Sequence, residues 1–175
     1  IALDVELAIV TSSTATKQDD ANAGKMGGIP FFNTVNVKDM SSSALTETAF
    51  NDAVQLAWNK GGVPEMAVVS GKNKRTISGF TAGAQKTRDQ KEKKLVQVID
   101  IYQSDFGEVT LLAHRMQVDG RVDIIESQHF RMGFLVPFKR VDLPVKGHKI
   151  EKVITGQCTL ECRAKDAHSC IINIV

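Results

Sequence analysis

The sequence predicts an α+β fold, and three stretches carry that expectation. Residues 46–60 place Phe50, Ala53, Val54, Ala57 and Trp58 on one face at helical spacing. Residues 149–164 alternate instead, with Ile150, Ile154, Cys158, Leu160 and Cys162 on one side and Glu151, Gln157, Glu161 and Arg163 on the other. Between them, two apolar runs flank Ser104-Asp105-Phe106-Gly107, which is hairpin patterning. No internal repeat is visible, and strands do not alternate regularly with helices, so α+β is favoured over a βα array.

In chain order, IALDVELAIV reads as the end of a helix. It is not a signal peptide, because it lacks a basic n-region and Asp4 and Glu6 interrupt the apolar run. The chain opens inside this helical pattern without Met, which predicts that a segment precedes Ile1. Residues 11–28 are small and polar and read as an exposed loop. IPFFNTVNV reads as extended around Pro30. The helix over 46–60 has Thr46 as N-cap, Glu47 in the first turn, a Leu45–Phe50 staple and a Gly61-Gly62 stop. Its Trp58 reads as a core residue. PEMAVVSG is a buried strand and KNKRTISGF a short basic helix. Residues 81–94 show no apolar period and read as a long polar loop. After the hairpin, RVDIIESQHFRMGFLVPF suggests two short strands, residues 142–147 a turn, and CIINIV a last strand behind a turn at KDAHS.

The chain has 175 residues, 42% of them hydrophobic, which suffices for one domain or two small ones. At that size no covalent staple is needed. Three cysteines without framework spacing argue for a reducing compartment. No apolar run approaches the roughly 18 residues of a membrane-spanning helix. Charge is uneven. Residues 72–94 hold eight basic side chains against Asp89 and Glu92, while residues 1–71 are acidic. Such a basic segment attracts phosphate or an acidic neighbour, or is simply a solvated loop.

Familiar catalytic patterns fail on spacing. A phosphate loop needs Lys directly after its second glycine, but Ala84-Gln85 separates Gly83 from Lys86, and a charged run replaces the following helix. Asp105-Phe106-Gly107 lacks a preceding kinase catalytic loop and is better read as turn chemistry. Cys158, Cys162, His168 and Cys170 are the one zinc-like cluster. On a strand, Cys158 and Cys162 lie roughly 13 Å apart, too far to share an ion with bonds of about 2.3 Å. No G-x-S-x-G occurs and no carboxylate pair stands out. The residues therefore point to no enzyme and no cofactor.

The block RTISGFTAGAQKTRDQKEKKLVQVIDIYQSDFGEV, at 75–109, resembles a group of tailed-bacteriophage major capsid proteins. The likeness extends through LTETAFNDAVQLAWNKGGVPEMAVVSGKNKR before it. It continues more weakly at ALDVELAIVTSS, AGKMGGIPFFNTVNV and the stretch from Phe134 to Ile174. The resemblance implies the tailed-phage capsid fold, with residues 1–45 and 137–175 in a peripheral domain and 46–136 in an axial domain. It also implies that the N-terminal arm, the extended loop and most of the spine helix precede Ile1. The implied role is a structural shell protein that forms pentamers and hexamers of identical subunits around double-stranded DNA, in a virion assembled in a bacterial cytoplasm. No membrane, small-molecule substrate, metal or catalytic residue is implied. The candidate subunit-contact or DNA-facing residues are Lys72, Lys74, Arg75, Lys86, Arg88, Lys91, Lys93 and Lys94. Two other readings stay open: an encapsulin-like compartment shell, and a nucleic-acid-binding module using residues 72–94.

Overall fold

Eight strands and three helices follow one another, with two 3₁₀ turns, in a computed structural model that describes residues 9–15, 25–80, 101–144, 147–149 and 151–175. Residues 9–11 are helical. Then come α1 (Ile29–Phe32), β1 (Asn36–Ser43), α2 (Glu47–Asn59), β2 (Met66–Val69) and α3 (Gly71–Ser78). The rest is strand: β3 (Ile101–Ser104), β4 (Gly107–Ala113), β5 (Val122–Ile125), β6 (Phe130–Asp142), β7 (Lys152–Cys162) and β8 (Ser169–Ile174). The mixed α+β class expected from the sequence is what the chain adopts.

α2 forms where its caps and apolar spacing put it. The Thr46 hydroxyl accepts the Ala49 N–H, and Glu47 sits in the first turn beside the positive helix end. At the other end Gly62 N–H reaches the Ala57 carbonyl and Gly61 N–H the Trp58 carbonyl, a Schellman arrangement that needs the left-handed φ of +87° at Gly61. Phe50, Ala53, Val54 and Ala57 are buried against the sheet. Trp58, expected in the core, is 51% exposed. It lies at the border of the apolar face and meets Phe106 at the tip of the β3–β4 hairpin, with ring centroids 5.3 Å apart.

Six strands form one sheet in the order β1-β8-β5-β2-β4-β3. β1 runs parallel to β8 and β2 parallel to β4, and the other neighbours are antiparallel. One face carries Ala67, Val69, Val109, Leu111, Ile124 and Ile171 and packs beneath α2 and Ile77 of α3. The opposite face carries Val68 and Ile125 and meets Ile29, Phe32, Phe130 and Leu160. Central β2 is buried on both faces, which is why it reads as a continuous apolar run. The Ser104–Gly107 segment closes the β3–β4 hairpin, and the Ser104 hydroxyl accepts the Phe106 N–H.

Two further expectations need correction. Residues around Pro30 are not extended: Ile29–Phe32 makes a helical turn. Proline in a first turn gives up only an N–H that has no intrahelical partner there. The second of the two expected short strands is long. β6 spans 13 residues and pairs with the 11 of β7 in a separate two-stranded ribbon. Register shifts at Phe134/Val136 and Val136/Lys139 accommodate Pro137, which has no N–H for a ladder.

Candidate functional site

The β6–β7 ribbon is the feature that local physics leaves incomplete. An isolated two-stranded ribbon is marginal in water and needs a third strand or a packed face. Register places Phe130, Met132 and Phe134 opposite Cys162, Leu160 and Cys158 on one face. Gly156 continues that face, and a Cβ there would collide with the Phe138 ring, so Phe138 lies across it. Ile154 is next along β7. The opposite face is mixed, with Arg131, Lys139, Gln157 and Glu161 beside Val136, Val141 and Val153, while Arg140 pairs with Ile154 on the first face. The apolar face is covered at its root, where Leu160 and Phe130 join Ile29, Val68, Ile125 and Ile9. Further out it is bare. Phe134 is 55% and Ile154 56% exposed, and Leu135, inserted at the first register shift, is 82% exposed. Contiguous exposed apolar surface rimmed by polar groups marks an interaction site. Sequence alternation found the β7 half of this surface. The β6 half was missed because its two register shifts break the period of two.

The root of the ribbon is a polar joint. β6 enters from the 3₁₀ turn Ser127–His129, and Arg163 N–H, just past β7, returns to the His129 carbonyl. Phe130 stacks on the His168 ring, with centroids 4.6 Å and planes 21° apart. His168 is fully buried, its Nδ1 accepts the Glu126 N–H at 3.2 Å, and its Nε2 has no partner. Burial pushes its pKa down to about 4, the neighbouring His129 adds to the drop, and Glu126 opposes it. The buried Glu126 carboxylate accepts the Val63 N–H at 2.9 Å and lies 3.4 Å from His129 Nε2.

A second polar cluster locks α1 to the sheet. Asp123 is almost fully buried on β5. Its carboxylate accepts from Arg121 Nε, Asn33 Nδ2 and Gln117 Nε2. Asn33 Nδ2 also donates to the Ser169 carbonyl, while the Asn33 carbonyl accepts from Arg121 Nη2 and Cys170 Sγ. Burial opposes the Arg121 charge, but the Asp123 carboxylate outweighs it and raises the pKa. Burial likewise pushes the Cys170 thiol up to about 11, so it stays protonated.

The predicted basic residues are only partly placed. Lys72 and Arg75 are exposed on α3 and, with Gly71 and Thr76, line a shallow depression of about 490 Å³. Lys74 turns the other way and donates to the Leu111 carbonyl at 3.0 Å. Lys86, Arg88, Lys91, Lys93 and Lys94 lie outside the described residues, as does the polar loop over 81–94. Cys158 and Cys162 fall on strand β7, Cys170 on β8 and His168 just before it. Among the described residues no three His, Cys, Asp or Glu side chains converge on a metal-sized site.

The model of the SU10 major capsid protein family matches residues 1–175. The chain belongs to that family. Capsid proteins of this kind are structural, and their place is the virion shell. No curated protein matches the chain. Among solved structures, a virus-like particle from Pyrococcus furiosus is similar at 16% identity and a TM-score of 0.46, over 79% of this chain. The chain spans 55% of that protein's length. Among the described residues, the outer half of the β6–β7 ribbon leaves Phe134, Leu135 and Ile154 more than half exposed, and α3 exposes Lys72 and Arg75.

Proposed function

We propose that this chain is part of a shell subunit that tiles with identical copies, as pentamers and hexamers, into an icosahedral phage head around double-stranded DNA. The observation that carries the reading is the ribbon, whose Phe134, Phe138 and Ile154 stand out from the sheet with one face unmet. A shell repeats one contact many times, so each can be modest and still close the particle. Domain organisation belongs to the same proposal, with residues 1–45 and 137–175 peripheral and 46–136 mainly axial. The pairing of β1 with β8, and of β8 with β5, would tie the two parts through one sheet.

The basic segment supplies register. Charge complementarity between neighbours steers and selects more than it tightens. Lys72, Arg75 and the basic residues of 86–94 would meet an acidic neighbouring surface, or DNA phosphate if they face inward. Lys74, held by the Leu111 carbonyl, is the weakest candidate of the eight.

Electron microscopy of the full-length product tests the reading. Uniform closed particles with nuclease-protected DNA are expected. Soluble monomers under assembly conditions would overturn the shell proposal, and particles holding protein cargo in place of DNA would favour the encapsulin-like alternative. Salt-sensitive DNA binding by unassembled chains, with no particles, would favour a nucleic-acid-binding module, which the exposed Lys72 and Arg75 of α3 support.

A further inference from the structure

Both strands of the ribbon enter the body at one point, and a buried histidine sits under it. Phe130 opens β6, its register partner Cys162 closes β7, and the Phe130 ring lies flat on His168. We propose that this root is an acid-released joint, in which protonation of His168 undocks Phe130 and frees the ribbon from the six-stranded sheet.

The neutral ring fits its hole in one protonation state only. Nδ1 accepts the Glu126 N–H, so the single ring proton is on Nε2, which is buried without a partner. A second proton must go to Nδ1, where it would point at another N–H. The hydrogen bond is then lost and a cation is left in a site with no exposure. The charged groups around it do not rescue that cation. On the approach to β6, Glu126 favours it, but its carboxylate is already engaged by the Val63 N–H and by His129. His129, with its ring 6.2 Å away, opposes it. On the 3₁₀ turn Lys165–Ala167, the Lys165 and Asp166 side chains are exposed. β1 contributes the neutral Asn36, whose Nδ2 donates to the His168 carbonyl, and β6 contributes Phe130. The cation leaves by expelling the ring, and the ring carries the Phe130 stack with it.

The sign follows from the lowered pKa of about 4. A folded pKa below the free-imidazole value of about 6.5 means that the released form binds the proton more tightly. The joint's stabilisation is therefore complete above about pH 6.5 and declines as pH falls toward 4. Among the described residues of the main core beneath α2, the titratable side chain is Tyr102, which burial pushes up to about 12. Acid should thus act at the joint before it acts on α2. This rests on the shell reading only for its consequence, a ribbon that changes its contacts with neighbours. The joint itself is a property of the chain.

Hydrogen–deuterium exchange on the full chain, corrected for intrinsic rates, tests it between pH 7 and 4. Amides of 130–134 and 159–163 are expected to lose at least tenfold in protection while those of 49–57 hold. In His168→Gln, which keeps an acceptor for the Glu126 N–H but cannot titrate, that selective loss should vanish. An unchanged loss in the variant would overturn the joint, as would equal loss at 49–57 or none at all. If His168→Gln does not fold, the His168 ring resonances of the wild type decide. A depressed pKa that coincides with the amide loss supports the proposal, and an ordinary pKa or a loss at another pH overturns it. None of these outcomes depends on whether particles form.

Discussion

Asp123, almost out of water, pairs with Arg121, whose side chain is 22% exposed, and Asn33 and Gln117 complete the carboxylate's hydrogen bonds. Removing one partner of such a pair strands the other, so Asp123→Ala should lower unfolding free energy by about 3–5 kcal/mol in urea titrations. Gly62 makes a different point. A Cβ there would lie 2.6 Å from the Ala167 backbone, so Gly62→Ala should destabilise by about 1–3 kcal/mol. Gly61→Ala would strain only a left-handed φ with open space around it, by about 1 kcal/mol. His168 adds the pH dependence. Its contribution is present above its free value and is lost on the way down to about 4, of the order of 2–3 kcal/mol. Thermal melts of the wild type should fall more steeply below pH 6 than those of His168→Gln. Gly61 and Gly62 announce themselves in the sequence as a helix stop, but the Asp123 cluster does not, because Asn33 and Asp123 meet across 90 positions and no local pattern encodes that meeting.

Among the elements, α2 and β7 were the most legible, because each carries its own period and α2 carries its caps. The basic helix α3 was legible as KNKRTISGF, and the structure adds that Ser70 caps it and that Asn73 and Ile77 face inward. α1 was misread because a proline beside aromatics looks extended when its place in a first turn is unknown. The ribbon was half legible. Alternation in β7 survives, whereas Leu135 and Pro137 throw β6 out of register with it. Since Phe134 and Ile154 are more than half exposed, Phe134→Ser with Ile154→Ser should change unfolding free energy by no more than about 1 kcal/mol in all. Phe50→Ala, at a site with no exposure, should cost about 3–5 kcal/mol. Equal effects in urea unfolding would mean that the ribbon face belongs to the core.

For the whole molecule, the exposed pair on α3 and the bare ribbon face predict separate phenotypes. If α3 meets phosphate, Lys72→Ala with Arg75→Ala should reduce the slope of log affinity for DNA against log salt by roughly 1–2 units. If α3 meets a neighbour, the same change should slow assembly at low salt and matter little at high salt. The family was legible most specifically in residues 75–109, while the exposure of the ribbon face was not, because a strand bound for a partner looks in sequence like a strand bound for the core. On the proposed reading, the outer ribbon face is covered by assembly. Sedimentation velocity of the full-length protein beside its Phe134→Ser, Ile154→Ser variant tests this most directly. Large closed particles for the wild type and folded small species for the variant are predicted. Particles of equal size and yield from both would contradict it.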